Sequence, residues 1–336
     1  MKSAIAFAVA AMLAVGVGAQ QTPPTIPFDS STDFLRYSPD MNLGEVLGVA
    51  VNSKGHIVVL NHPGNATSGP LYGNASTQLL EFDQTGKFVR EIGKGVYGLG
   101  YSHSVRFDRY DNLWVVDKGT NAVVKFNPAG YVTLNLGRRP EGPDDPAESY
   151  YRPGRRDPLP HVDGMFRQPT DVAWDSDDNI YVSDGYTNAR VAKFDKNGNW
   201  VKAWGVRGNG PGQFNIPHTI AADAKGNIYV GDRTNERIQV FDGDGTFLRQ
   251  FTGVAQPWAI CITPGPNQVL YSSDANSGKI FKLDLTGQLL GELGSFGKQP
   301  KQFGWVHEIA CPSENELYVG ELLNWRMQKL VLRPPK

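Results

Sequence analysis

The chain has 336 residues, 40% hydrophobic and 20% charged, with a formal net charge of -1. That balance is ordinary for a globular protein, and it excludes both a basic field for nucleic acid and an acidic tail for a charged partner. With Gly 38 and Pro 23 the chain is rich in turns, which favours many short strands over long helices.

The chain opens with MKSAIAFAVAAMLAVGVGAQQTPP. A lysine at position 2, an apolar stretch and then Val17-Gly18-Ala19 form a secretory signal peptide over residues 1–19, cleaved after Ala19. The alternative, a membrane anchor, suits the segment less well, because its apolar run is short and rich in Ala and Gly. No later segment is apolar enough to span a bilayer. The expectation is an exported, periplasmic or secreted monomer over residues 20–336. The sequons at Asn65 and Asn74 matter only in a host that glycosylates.

From about residue 47 onward the chain repeats itself. QPTDVAWDSDDNIYVSDGYTNARVAKFDKNGNWVKAWG (168–205) and IPHTIAADAKGNIYVGDRTNERIQVFDGDGTFLRQFTG (216–253) match almost without gaps. Further copies start at Ser102 and Gln256, an earlier one at Val46 carries an insert, and a truncated one closes the chain. Each full copy reads as four strands. A D-x-x-x-N or similar turn follows the first, a run ending in Asp in most copies forms the second, and an Asp-Gly or Asn-Gly type turn precedes the fourth. Four antiparallel strands at a period of roughly 40–50 residues make a propeller blade, so the predicted fold is an all-β six-bladed β-propeller. The last copy lacks its fourth strand, and DFLRYSP (33–39) is the expected donor that closes the ring. The pattern resembles the NHL-repeat propellers.

One slot opens the innermost strand of every copy. It holds Leu47, His103, Thr170, His218, Trp258 and His307. Half of the chain's six histidines fall in this slot, in alternate blades. Alternate blades of a six-fold ring are about 120° apart, so three imidazoles should converge on the axis at one mouth, as a three-histidine zinc site with an open position requires. His56, His62 and His161 share no such register and are expected at the surface. The loops between strands 2 and 3 lie at the same mouth and place Tyr186 and Arg233 over the metal. The connection of residues 138–166 crosses that mouth as a lid or as a solvated insert, with Arg138, Arg139, Arg152, Arg155 and Arg156. Cys261 and Cys311 lie in apolar runs (WAICIT and EIACPS). Export leaves a disulfide open, while the apolar setting favours buried free thiols.

QPTDVAWDSDDNIYVSDGYTNARVAKF and GPGQFNIPHTIA, continuing into YVGDRTNERIQVF, resemble the peptidyl-α-hydroxyglycine α-amidating lyases. The resemblance implies zinc on His103, His218 and His307, Tyr186 as catalytic base and Arg233 as an active-site arginine. It also implies a structural calcium on the carbonyls of Val49 and Val105 and the carboxylate of Glu308. The implied reaction cleaves a small peptide or other α-hydroxy-amide at its N–Cα bond, giving an amide and glyoxylate. This sequence departs from the family in several places. Glu308 replaces an Asp, and Trp305 replaces a Met. Thr187, Tyr229 and Val240 stand where cysteines are usual. The family's first-blade arginine falls on LNHPG, near His62, where there is none. The competing readings are a non-catalytic binding platform and a metal-dependent lyase or hydrolase for another substrate.

Overall fold

The computed structural model describes residues 23–63, 77–137 and 161–333. The expected signal peptide, both sequons and all five arginines named in the 138–166 insert lie outside the described residues. Among those described, no helix is long and apolar enough to cross a membrane.

Six four-stranded antiparallel sheets form the ring. Blade 1 runs outward from Glu45–Val51 through Ile57–His62 and Gln78–Phe82 to Phe88–Glu91, and blades 2 to 5 repeat the order. The innermost strands of blades 2 to 6 are Ser102–Phe107, Asp171–Trp174, Pro217–Ala222, Pro257–Ile262 and Val306–Ser313. The turns follow from the repeated Asp. In the first turn of blade 4, for example, Asp223 accepts the backbone N–H groups of Lys225 and Asn227, both at 2.9 Å, and its other oxygen accepts the Asn227 amide. An Asx turn of this kind needs only the Asp and a tolerant backbone, which is why the motif recurs.

Each hydrophobic cluster is shared by two neighbouring blades. Trp114, Val116 and Leu136 of blade 2 pack against Val172, Val182 and Phe194 of blade 3, and the same occurs between every adjacent pair around the ring. A blade therefore has no core of its own, and the ring must close to bury its apolar faces.

The closing strand is not the one expected. Phe28–Ser31 pairs with Arg326–Leu332, with Phe28 opposite Leu332 and Ser31 opposite Lys329. The expected segment, 33–39, instead crosses to blade 1, where the Arg36 N–H donates to the Gly86 carbonyl at 2.6 Å and Phe34 and Leu35 cap an apolar cluster. The apolar content of DFLRY attracted the assignment. Those side chains serve packing, and the polar FDSS makes the edge.

The cysteines also differ from the expected free thiols. Cys261 and Cys311 sit on the innermost strands of blades 5 and 6 and are joined as a disulfide, with Cα atoms 6.1 Å apart. That separation lies within the normal disulfide range, and neighbouring innermost strands supply it. The bridge encloses a sequence separation of 50 residues. Replacing both cysteines with serine should cost about 3 kcal/mol, or roughly 5–10 °C in Tm by calorimetry. A double variant that melts with the wild type would show that the bridge adds nothing to the ring.

Candidate metal centre

Strand pairing shows how the slot works. In five blades the register between the first and second strands skips one residue, and the skipped residue is Leu47, His103, His218, Trp258 or His307. Each is the extra residue of a β-bulge, which re-aims its side chain out of the pleat. In blade 3, Thr170 stands just ahead of the strand and its N–H donates to the Ser183 carbonyl at 2.8 Å.

The three histidines converge as expected. Their ligand nitrogens lie within 4.8 Å of one another, and all three side chains are buried. Each Nδ1 bonds the slot carbonyl of the next blade: His103 to Thr170 at 2.7 Å, His218 to Trp258 at 2.7 Å and His307 to Leu47 at 2.8 Å. A carbonyl only accepts, so each Nδ1 carries the proton and each Nε2 presents a lone pair. The histidines of the even blades are thus oriented by the main chain of the odd ones.

Electrostatics keeps the imidazoles neutral. Burial drives His103 and His218 well below the ordinary histidine range, helped by neighbouring imidazoles and by the charges of Lys118 and Arg233. Burial lowers His307 to about 3. Three neutral, preoriented nitrogens with no carboxylate among them form a donor set that fits zinc and its borderline-soft neighbours.

In blades 2 to 6 a buried acid at the end of the second strand fixes the mouth. Asp232 accepts the Asn215 N–H at 2.7 Å, ahead of His218, and the Asn235 amide at 2.8 Å, beyond Arg233. Asp117 and Asp184 do the same for blades 2 and 3. These acids explain the recurring VVD, VSD and VGD. Gly185 follows Asp184, and any side chain there would run into the Pro217 carbonyl. The glycine therefore lets the loop turn Tyr186 inward.

Tyr186 is 7% exposed, and its Oη lies 3.1 Å from His103 Nε2 and 3.2 Å from His218 Nε2. Burial raises its pKa, while Arg233 acts against that through its charge and a side-chain hydrogen bond. The Arg233 guanidinium lies 5.6 Å from the Tyr186 ring centre and 4.4 Å from that of Trp258. Trp258 and Trp305 pack together at 5.2 Å beside His218 and His307. The Trp258 Nε1–H is buried without a hydrogen-bond partner among the described residues.

Two residues at this mouth were not read from the sequence. His62, expected at the surface, is 3% exposed and stacks on Tyr101 with ring centres 4.4 Å apart. The Lys118 ammonium lies 4.6 Å from the Tyr101 ring centre and 4.7 Å from that of Tyr186. The signal was present in the repeats: His62, Lys118 and Arg233 each follow the last residue of a second-strand core, Asn61, Asp117 and Asp232. The implied calcium ligands lie deeper on the axis. There Glu308 contacts the Arg106 guanidinium at 2.6 Å, so its carboxylate already has a cation.

Comparison with known proteins agrees with this fold. Residues 165–281 match the DUF5128 family model, described as a 6-bladed beta-propeller. The chain is 30% identical to peptidyl-glycine alpha-amidating monooxygenase A of Xenopus laevis over 84% of this chain and 31% of that protein. It therefore spans about a third of the length of such relatives. It is 25% identical to a probable peptidyl-alpha-hydroxyglycine alpha-amidating lyase of Caenorhabditis elegans, over 85% of this chain and 82% of that one. It is 26% identical to human NHL repeat-containing protein 3 over 74% of this chain and 65% of that protein. Among solved structures, a streptogramin B lyase superposes with a TM-score of 0.58 at 14% identity, covering 91% of this chain and 98% of that one, a likeness of fold alone.

Proposed function

We propose that the chain is a lyase of the peptidyl-α-hydroxyglycine type, depends on zinc, and cleaves the N–Cα bond of a peptidyl-α-hydroxyglycine or related α-hydroxy-amide. The observation that carries this reading is the convergence of three neutral histidines beneath the Tyr186 hydroxyl. His103, His218 and His307 would hold the zinc, which when bound supplies a Lewis acid that acidifies the substrate hydroxyl.

The chain's own residues do the rest. Tyr186, as phenolate, takes the hydroxyl proton, and the charge of Arg233 beside it favours that ionised form against burial. The N–Cα bond breaks with its electron pair going to nitrogen, which regains a proton to become the amide. The carbon that carried the hydroxyl becomes the aldehyde of glyoxylate. Arg233 suits the substrate carboxylate as a bidentate partner. Trp258 and Trp305 wall one side and exclude water.

The first-blade arginine implied by the resemblance has no counterpart, and Lys118 takes over its positive charge from blade 2. Lys118→Met should then lower kcat/KM by about 10–100-fold for a substrate with a free carboxylate, and much less for its methyl ester. Equal losses on both substrates would assign Lys118 to structure instead.

The deciding experiment is glyoxylate release from a synthetic α-hydroxyglycine-terminated peptide by zinc-loaded protein. Turnover well above buffer is expected. No turnover with zinc fully bound would reject the lyase reading and leave a metal-holding binding protein.

A further inference from the structure

Arg106 lies three residues beyond His103 on the innermost strand of blade 2, and its guanidinium reaches across the axis. Nε and Nη2 donate to the two oxygens of Asp171 at 3.0 and 2.7 Å. Nη2 also meets Glu308 Oε1 at 2.6 Å and the Ile260 carbonyl at 3.2 Å, and Nη1 donates to the Ile309 carbonyl at 3.3 Å. Asp171 accepts further bonds from the Thr219 hydroxyl at 2.9 Å and the Ile220 N–H at 3.1 Å. Thr219 Oγ1 in turn accepts the Ile260 N–H at 3.1 Å. Arg106 therefore ties blade 2 directly to blades 3, 5 and 6, and through Asp171 to blade 4.

This is poor ground for the calcium that the family resemblance implies. Calcium takes six to eight oxygen ligands. Of the three residues implied, Glu308 is already engaged, by the guanidinium and by a backbone hydrogen bond from Val105. A divalent ion beside Glu308 would also sit against a fixed positive charge within a buried axis, where repulsion is weakly screened. The carboxylates favour the guanidinium instead. Arg106 is 14% exposed, Asp171 2% and Glu308 3% on their side chains. Buried acids of this kind require a cation with good hydrogen-bond geometry, and the planar fork of arginine supplies it.

We propose that Arg106 is a built-in cation that takes the place of a structural calcium, so that the axis of this propeller closes without any divalent ion. The metal is exchanged for a covalently tethered charge, which has no dissociation constant and no dependence on calcium supply.

The test is a set of melting curves on the full chain at constant saturating zinc, in calcium-free buffer and with millimolar calcium. The wild type should melt at the same temperature in both and carry no stoichiometric calcium by elemental analysis. Arg106→Ala should melt about 10 °C lower without calcium, because two buried carboxylates lose their partner. Calcium should restore part of that loss, because the shortened side chain opens a space lined by Asp171, Glu308 and the carbonyls of Ile260 and Ile309, all hard oxygen donors. Arg106→Lys keeps a charge without the fork, so it should fall between the two and stay insensitive to calcium. A wild type that gains several degrees with calcium, or retains it through dialysis, overturns the proposal. So does an Arg106→Ala protein that melts with the wild type or gains nothing from calcium. If neither variant folds, the calcium content and calcium response of the wild type decide.

Discussion

Changing His218 to alanine should remove both the metal and the activity while leaving the propeller folded. Among the described residues His218 supplies one of the three nitrogens at the centre, and its orientation is fixed by the Trp258 carbonyl at 2.7 Å. Loss of an outer-sphere partner already costs roughly 10–100-fold in metal affinity, so loss of a ligand should cost well beyond that. Elemental analysis should find about one zinc per wild-type chain and almost none in the variant. The fold should survive, because the six apolar clusters lie between blades and none includes this histidine. Equal zinc in both proteins, or none in the wild type, would remove the site from consideration.

The second large effect is expected from Tyr186→Phe. The substitution deletes one oxygen, keeps the ring over the mouth and touches none of the three imidazoles' bonds to main-chain carbonyls. A proton-transfer group is typically worth 10²–10⁴ in rate, so kcat should fall by roughly that factor. Zinc content should be unchanged and KM little altered, because Arg233 and Lys118 remain. A variant that keeps the wild-type kcat would exclude Tyr186 as the base. One that loses zinc as well would make Tyr186 a support for the ligands.

The fold could be read from the sequence because a propeller writes its period into the chain. The Asx turns and the buried acids recur since every blade needs the same loop geometry, so DAKGN and VGD appear again in register as DSDDN and VSD. The histidines could be read for a related reason: a bulge at a fixed place aims one residue of each copy at the axis. What was missed does not repeat. Arg106 lies in the second copy alone, and nothing in SVRF indicates that its side chain meets acids from two other blades. The disulfide joins cysteines of two different copies, and their pairing depends on which innermost strands are neighbours. The burial of His62 depends on Tyr101, which belongs to the following blade. The closing strand carries two serines, so its role comes from ring geometry more than from hydrophobic pattern.

The hydrogen bonds from each Nδ1 to the next blade bear on how the substrate range of the proposed lyase can change. The groups that orient the ligands are the carbonyls of Leu47, Thr170 and Trp258, and a carbonyl survives any substitution. At Trp258 the main chain serves His218 while the indole faces Arg233 and Trp305. A protein engineer can therefore treat Trp258 as a dial: saturation mutagenesis there varies the wall a substrate meets while the ligand's anchor persists. If the proposed lyase reading holds, the same division of labour gives natural descendants of this propeller a way to exchange one substrate for another without rebuilding the centre.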